Sequence, residues 1–348
     1  MQPEHINRVY FIGIGGIGMS ALARYFLRSG KAVAGYDRTA TPLTETLLAE
    51  GALLCFEDGE EAIPEAFRRV ENTLVVYTPA VPAEHPQLTY FREAGFAVKK
   101  RAEVLGMISS LSRCLAVAGT HGKTTTSCIL AHLLREAGMD FMAFLGGVSV
   151  DFGSNFVYEG TEFSVVEADE YDRSFLWLEP EIACVTSMDA DHLDIYGDGQ
   201  SLEAAFEAFA ARVKPGGTLV VRNGLPLRGL TYGIEDNAQY CICNLKTEDG
   251  GYCFDIRTPE ATYRTVRFRK PGRHNLLNGL AAFTMALKAG SPPGRLLKAL
   301  ETFKEVERRF SYQIETDRFI YIDDYAHHPA EIDAVYEAVR EMYPDREV

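Results

Sequence analysis

The stretch "VAGTHGKTTTSCIL", residues 117–130, decides the reading. It ends like a phosphate-binding loop, with Gly-Lys-Thr. The common pattern G-x-x-x-x-G-K-[ST] would place a further glycine where this chain has Val117. The loop is therefore a clipped one, Gly119-Thr120-His121-Gly122-Lys123-Thr124, with Thr125 beginning the next turn. It follows the apolar run "CLAVAG" and opens the helical pattern "TTTSCILAHLLREAG", the strand–loop–helix setting that such a loop requires. Its backbone N–H groups suit phosphate oxygens, the Lys123 ammonium offsets their charge, and the Thr124 hydroxyl suits Mg²⁺.

Two later strand patterns end in acids. "FSVVEADE" carries Glu167 and Asp169, and "EIACVTSMDADH" carries Asp189, Asp191 and His192. In a parallel α/β sheet, ligands bind at the carboxyl ends of the strands. These groups are thus expected to face the loop, where a lysine, a threonine, two acid clusters and a histidine would converge at one edge of the sheet, a setting that suits Mg²⁺.

About a hundred residues upstream lies a second glycine loop, Gly13-x-Gly15-x-x-Gly18, between the strand Val9–Ile12 and an amphipathic helix that ends near Gly30. Asp37 closes the next strand. Taken alone this is a dinucleotide fingerprint, and a nicotinamide-dependent oxidoreductase is one reading of it. The physics specifies only a diphosphate at a helix N-terminus, which a UDP-sugar also carries.

Bulk properties narrow the class. The chain has 348 residues, 47% of them hydrophobic, which is long enough for two or three domains. Its net charge of −14 argues against a nucleic-acid partner held by the overall field. Seven cysteines without a C-x-x-C pair suggest reduced core thiols. With no signal-peptide pattern and no apolar run near the roughly 20 residues of a membrane span, a cytoplasmic protein without membrane contact is expected.

Alternating strand and helix patterns over residues 1–107 suggest a parallel βα domain. A second α/β unit follows over 108–305. In it "SLEAAFEAFAARV" reads as a helix capped by Ser201, and Thr218 to Phe268 as short antiparallel strands added to a parallel sheet. "HNLLNGLAAFTMALKAG" is a buried helix pattern. Residues 306–348 read as strand, loop, helix and the first residues of another strand. They are expected to be the beginning of a third domain that the chain does not complete.

Six motifs in order, "GIGGIGMSALA", "AGTHGKTTT", "VVEADEYDRSFL", "DADHLDIYG", "GRHNLLNGLAA" and "RRF…DDYAHHP", resemble those of the Mur ligases. The resemblance implies an α/β fold with a Rossmann-like N-terminal domain for a UDP-sugar, a central ATPase domain of the phosphate-loop type, and a Rossmann-like third domain. It further implies ATP and Mg²⁺ as cofactors. The implied activity joins L-alanine to the lactyl carboxylate of UDP-N-acetylmuramate through an acyl phosphate, in peptidoglycan precursor synthesis.

By matching motifs, Gly119 to Thr125, His274, Asn275, Asn278, Arg309 and Asp324 belong to ATP, Thr124, Glu167 and His192 to magnesium, and Lys123, Glu167 and His192 to catalysis. Gly15, Gly16, Gly18, Met19, Ser20, Asp37, Thr78 and Arg101 belong to the UDP-sugar, and His327 and His328 to the incoming amino acid. Two positions depart from the family pattern: Ala326 stands where glycine is usual and Tyr171 where serine is common. A ligase that recycles a preformed tripeptide and a non-catalytic nucleotide-binding module are the remaining alternatives.

Overall fold

A computed structural model describes residues 5–189, 199–248, 250–316 and 318–348, which form two compact units, residues 1–112 and 113–348. Asp191 and His192 lie outside the described residues.

The first unit is built on five parallel strands, β1 (Arg8–Ile12), β2 (Ala32–Tyr36), β3 (Leu53–Cys55), β4 (Thr73–Tyr77) and β5 (Ala97–Lys100). Their order is β3-β2-β1-β4-β5. The order reverses between β1 and β4, so the connections after these two strands diverge and leave a crevice at their carboxyl ends. The continuous apolar run of β1 is buried on both faces, as an internal parallel strand must be. Helix α1 (Ile17–Arg28) starts in the glycine loop. Helices α2 (Pro42–Ala49) and α3 (Pro86–Glu93) each begin with proline, and α4 (Arg101–Ser109) follows β5 directly.

The second unit carries a ten-stranded sheet of order β15-β14-β13-β12-β11-β10-β6-β9-β7-β8. Its centre holds β6 (Arg113–Ala118), flanked by β9 (Phe163–Ala168) and β10 (Ile182–Val185), both parallel to it. Three strands assigned as antiparallel from sequence, β11 (Thr218–Arg222), β12 (Leu230–Ile234) and β13 (Tyr240–Glu248), continue the parallel order. At that edge β14 (Gly251–Arg257) runs against both β13 and β15 (Thr262–Phe268), and at the other β8 (Ser154–Tyr158) runs against β7 (Phe141–Ser149).

Helix α5 (Lys123–Ala137) packs on β7 and β9 and beside helices α7 (Arg273–Lys288) and α8 (Pro293–Thr302), which cover β10–β13 and β15. The core around it takes in Ile129, Leu133, Phe141, Phe163, Leu280 and Phe283, all at most 2% exposed. Helix α6 (Gly199–Ala210) is already formed at Gly199, so Ser201 lies within it and not at its cap.

After Val306 the chain forms a two-stranded antiparallel ribbon, β16 (Ser311–Glu315) and β17 (Ile320–Asp323), then helix α9 (Pro329–Met342). Residues 343–348 form no strand. The linker is tied to the sheet by Glu307 N–H to the Val148 carbonyl and Val150 N–H to the Glu305 carbonyl. Helix α9 is tied at its far end by Tyr252, whose hydroxyl donates to Glu341 Oε2 at 2.6 Å and accepts from Gly272 N–H at 2.8 Å.

Gly35 shows how tightly β2 lies on β1. A Cβ there would sit 2.6 Å from the Phe11 carbonyl oxygen and 2.9 Å from Ile14 Cδ1. Gly35→Ala is expected to destabilise the first unit by roughly 1–3 kcal/mol, as overpacking does. The change would appear as a lower urea midpoint at constant m. An unchanged midpoint would mean the strands can part without cost.

Candidate active site

The clipped loop turns between β6 and α5 because glycine stands at both ends. Gly122, the residue before the helix, takes φ +83°, a left-handed conformation that side chains resist, and a Cβ there would lie 2.5 Å from Asn278 Oδ1. The loop backbone is then fixed to the end of β10. His121 N–H donates to Ser187 Oγ at 2.8 Å, the Thr186 hydroxyl donates to the His121 carbonyl, and Thr120 Oγ1 donates to the Asp189 carbonyl at 2.9 Å. Gly119 packs against Thr186.

Lys123 is folded over its own loop. Its ammonium donates to the carbonyls of Gly119 (2.7 Å) and Thr120 (3.2 Å) and to both carboxylate oxygens of Glu170 (3.0 and 2.8 Å). Burial works against the charged amine, but the carboxylates of Glu170 and Glu167 outweigh it and hold Lys123 protonated. Glu170 is 1% exposed and was not singled out from sequence.

Thr124 Oγ1 donates to Glu167 Oε1 at 3.1 Å. The other oxygen, Oε2, is buried without a hydrogen-bond partner among the described residues. Burial raises the Glu167 pKa, with Lys123 pulling the other way. A hydroxyl, a buried carboxylate oxygen that lacks a partner, and an adjoining cavity form an all-oxygen donor set. That set fits Mg²⁺, which takes few protein ligands and completes its shell with phosphate and water. Among the sequence-predicted metal residues, Thr124 and Glu167 come together; His192 lies outside the described residues.

Two cavities meet at the loop. The smaller, about 180 Å³, is lined by Lys123, Thr124, Glu167 and His327 among others. The larger, about 790 Å³, is bordered by His274, Asn275, Asn278 and Asp324 and reaches β12 and α9. His121, Gly122, Thr125, Arg309 and Glu331 border both.

The start of α7 is joined to α5 through the Asn278 amide, and the Asn275 amide closes on the approach to α7 itself. Thr126 Oγ1 donates to Asn278 Oδ1 at 3.2 Å, and Asn275 Nδ2 donates to the Pro271 carbonyl at 2.7 Å. His274 is held below its ordinary pKa by burial, which outweighs the attraction of Asp324, so the ring is neutral near pH 7.

The C-terminal segment reaches this site through Arg309 and α9. Arg308 and Phe310, on either side of Arg309, are left-handed at φ +59° and +51°. Asp324 holds that turn: Oδ2 accepts from Phe310 N–H and Oδ1 from Ala326 N–H, both at 2.7 Å. Ala326, at the position where glycine is usual, is not among the residues with positive φ.

His328 caps α9 by accepting from Ala330 N–H at 3.3 Å, and the His327 ring lies 3.1 Å from the Tyr325 carbonyl. Glu331, also missed from sequence, faces the His121 ring at 3.0 Å and accepts from His327 N–H at 3.2 Å. Burial opposes its charge, yet these partners bring its pKa down to about 2.

In the first unit, Gly16 precedes α1 in extended conformation and, as a glycine, supplies no side-chain cap. Asp37 shapes the loop, with Oδ2 accepting from Gly15 N–H at 2.7 Å and Oδ1 from Thr39 N–H at 3.3 Å. Arg101 lies against Gly18 and Thr78 against Gly13. Met19 and Ser20 are buried, and Ser20 donates its N–H to the Gly16 carbonyl and its hydroxyl to the Ile17 carbonyl.

A phosphate loop in one unit and a glycine loop without a lysine in the other are features of an α/β nucleotide-dependent enzyme. Comparison with known proteins gives the family. "Mur ligase family, catalytic domain" matches residues 8–113, and "Mur ligase middle domain" matches residues 117–286. The chain is 54% identical over 346 residues to a UDP-N-acetylmuramate--L-alanine ligase of Christiangramia forsetii, covering 99% of this chain and 76% of that protein.

It is 55% identical to the enzyme of the same name from Flavobacterium psychrophilum, covering 100% and 78%. A solved UDP-N-acetylmuramate-alanine ligase from Thermotoga maritima superposes with a TM-score of 0.84 at 28% identity, over 97% of this chain and 78% of that one. The chain belongs to the Mur ligase family, ATP-dependent ligases of peptidoglycan precursor synthesis.

Glu167 yields a test. Its folded pKa stands above the unfolded one, so its stabilising contribution is present at acid pH and lost as pH rises through the folded value. At pH 7 the buried carboxylate is a cost. Glu167→Gln is therefore expected to raise the stability of the nucleotide-free chain, seen as a higher Tm. It should also remove the extra stabilisation that ATP with Mg²⁺ gives. Calorimetric scans at pH 7 check both, and a lowered Tm would refute the first.

Proposed function

We propose that the chain joins L-alanine to UDP-N-acetylmuramate at the expense of ATP, in the cytoplasm, with ATP and Mg²⁺ in the second unit and the UDP-sugar in the first. The observation that carries this is the start of α5, where Lys123 and Thr124 meet a buried carboxylate with one unpartnered oxygen. The substrate assignment is supported by relatives of that name at 43–55% identity over essentially the whole chain.

Amide formation fails unaided because a carboxylate is a poor electrophile. The lactyl carboxylate attacks the γ-phosphorus and ADP leaves. The alanine amine then attacks the acyl carbon, and phosphate departs with the former carboxylate oxygen. The first step brings two anions together, and at 4 Å two unit charges repel by about 4 kcal/mol at an effective dielectric near 20.

Lys123 supplies a fixed positive charge for this, and Arg309 a second from the C-terminal segment. Thr124 and Glu167, with His192 proposed as a third, would hold Mg²⁺, which neutralises phosphate charge when bound. The larger cavity suits a nucleoside, with neutral His274 and the Asn275 and Asn278 amides for its polar edge. His327 borders the phosphate cavity, which fits a part in receiving the amine, whereas His328 is engaged in capping α9. We assign residues 1–107, 108–305 and 306–348 to the UDP-sugar, to ATP, and to closing over the nucleotide.

The tripeptide-recycling reading has the support of fold alone: a murein peptide ligase of Psychrobacter arcticus superposes with a TM-score of 0.78 at 24% identity. The oxidoreductase reading leaves Lys123, Thr124 and Glu167 without a task, and Asp37 is already bonded to its own loop.

Phosphate release should require UDP-N-acetylmuramate and L-alanine together. Lys123→Ala is expected to lower it by at least about a hundredfold, comparable to losing one preorganised charge-stabilising donor. Binding of the UDP-sugar, followed by calorimetry, should persist. Turnover retained in the variant would remove the loop from the mechanism.

A further inference from the structure

The small cavity is arranged for phosphate, yet one of its walls is an anion. Glu331, in the first turn of α9, borders both cavities alongside Arg309. Its side chain is 15% exposed, with Oε1 3.0 Å from His121 Nδ1 and Oε2 3.2 Å from His327 N. His121 sits in the phosphate loop, 210 positions away in sequence. Its ring has Asp189 on the other side, at 3.6 Å from Nε2, and the His328 ring 5.0 Å away.

The loop end of this contact is rigid, because the His121 backbone is bonded to Thr186 and Ser187. The C-terminal segment thus brings one cation and one carboxylate to a cavity meant for a polyanion. The cation favours a nucleotide. The carboxylate fastens α9 to the loop through His121 and repels phosphate.

We propose that Glu331 is a positioning residue that sets nucleotide affinity: it docks the C-terminal segment on the phosphate loop through His121, and its negative charge weakens the hold on nucleotide phosphates so that ADP can leave. This rests on the second unit being the ATP site. Coupling between two sites is reciprocal, so whatever the docked carboxylate costs the nucleotide, bound nucleotide costs the docking of α9.

The test compares MgADP with adenosine, which shares the base and sugar but has no phosphate, by calorimetry on the 348-residue chain. Glu331→Gln keeps the shape and removes the charge. It should bind MgADP roughly three- to tenfold more tightly while adenosine is unaffected, the size expected for one partly screened unit charge. Glu331→Asp keeps the charge and shortens the reach to His121, and it should show no such gain for MgADP.

A merely structural role would move adenosine and MgADP together. Equal shifts for both ligands in Glu331→Gln, no shift for MgADP, or the same gain in Glu331→Asp would each overturn the proposal. If the unaltered chain bound neither ligand, the ATP-site reading itself would fail, and this inference with it.

Discussion

Everything at the active site follows from one electrostatic constraint: a pocket that must accept several negative charges has to keep its own charges satisfied when no ligand is there. The protein does so by burying Lys123 against Glu170 and the loop carbonyls, so the ammonium stays charged and in place. Glu167 is handled differently. It keeps one oxygen on Thr124 and leaves the other buried and unpaired, at an energetic cost that a divalent cation would reverse. The asymmetry between two neighbouring carboxylates, one compensated and one not, separates the residue that parks the lysine from the residue that fits a metal.

The same economy appears where the C-terminal segment joins. Arg309 reaches both cavities from a turn whose neighbours on each side are left-handed. Such conformations cost about 1–3 kcal/mol each for residues other than glycine and persist only where surrounding bonds over-determine them. Here those bonds come from Asp324, which accepts two backbone N–H groups, and from the linker strand that the β7 end holds at Val148 and Val150. Asp324 borders the large cavity, but in this structure its carboxylate spends one oxygen on the turn that aims the arginine and the other on its own loop at Ala326.

Much of this was legible in the sequence, because it is local. A strand, two glycines and a Lys-Thr at a helix start can be read from a dozen residues, and so can the first glycine loop with Asp37. Glu167 was legible as the last outward residue of a buried strand. Glu170 was not, since it lies past the strand, where alternation no longer predicts direction. Glu331 reads as an ordinary acid in the first turn of a helix, and only the fold brings it to His121.

The β11–β13 run was misassigned for a related reason. Short connections with turn residues usually signal antiparallel pairing, whereas here they join neighbouring parallel strands whose registers only the whole sheet defines.

The two glycine loops solve one problem in two ways, and the difference carries chemical meaning. Both place a helix N-terminus at the carboxyl end of a parallel sheet, which suffices to hold phosphate. The loop at Gly13–Gly18 adds a single arginine from α4 and keeps its aspartate for its own backbone. That suits a diphosphate that is bound and left intact. The loop at Gly119–Thr124 adds a lysine, a hydroxyl and a buried carboxylate with a free lone pair, groups that matter only when charge is redistributed during a reaction. The division we propose, chemistry on phosphorus in the second unit and recognition in the first, rests on which side chains each loop brings with it.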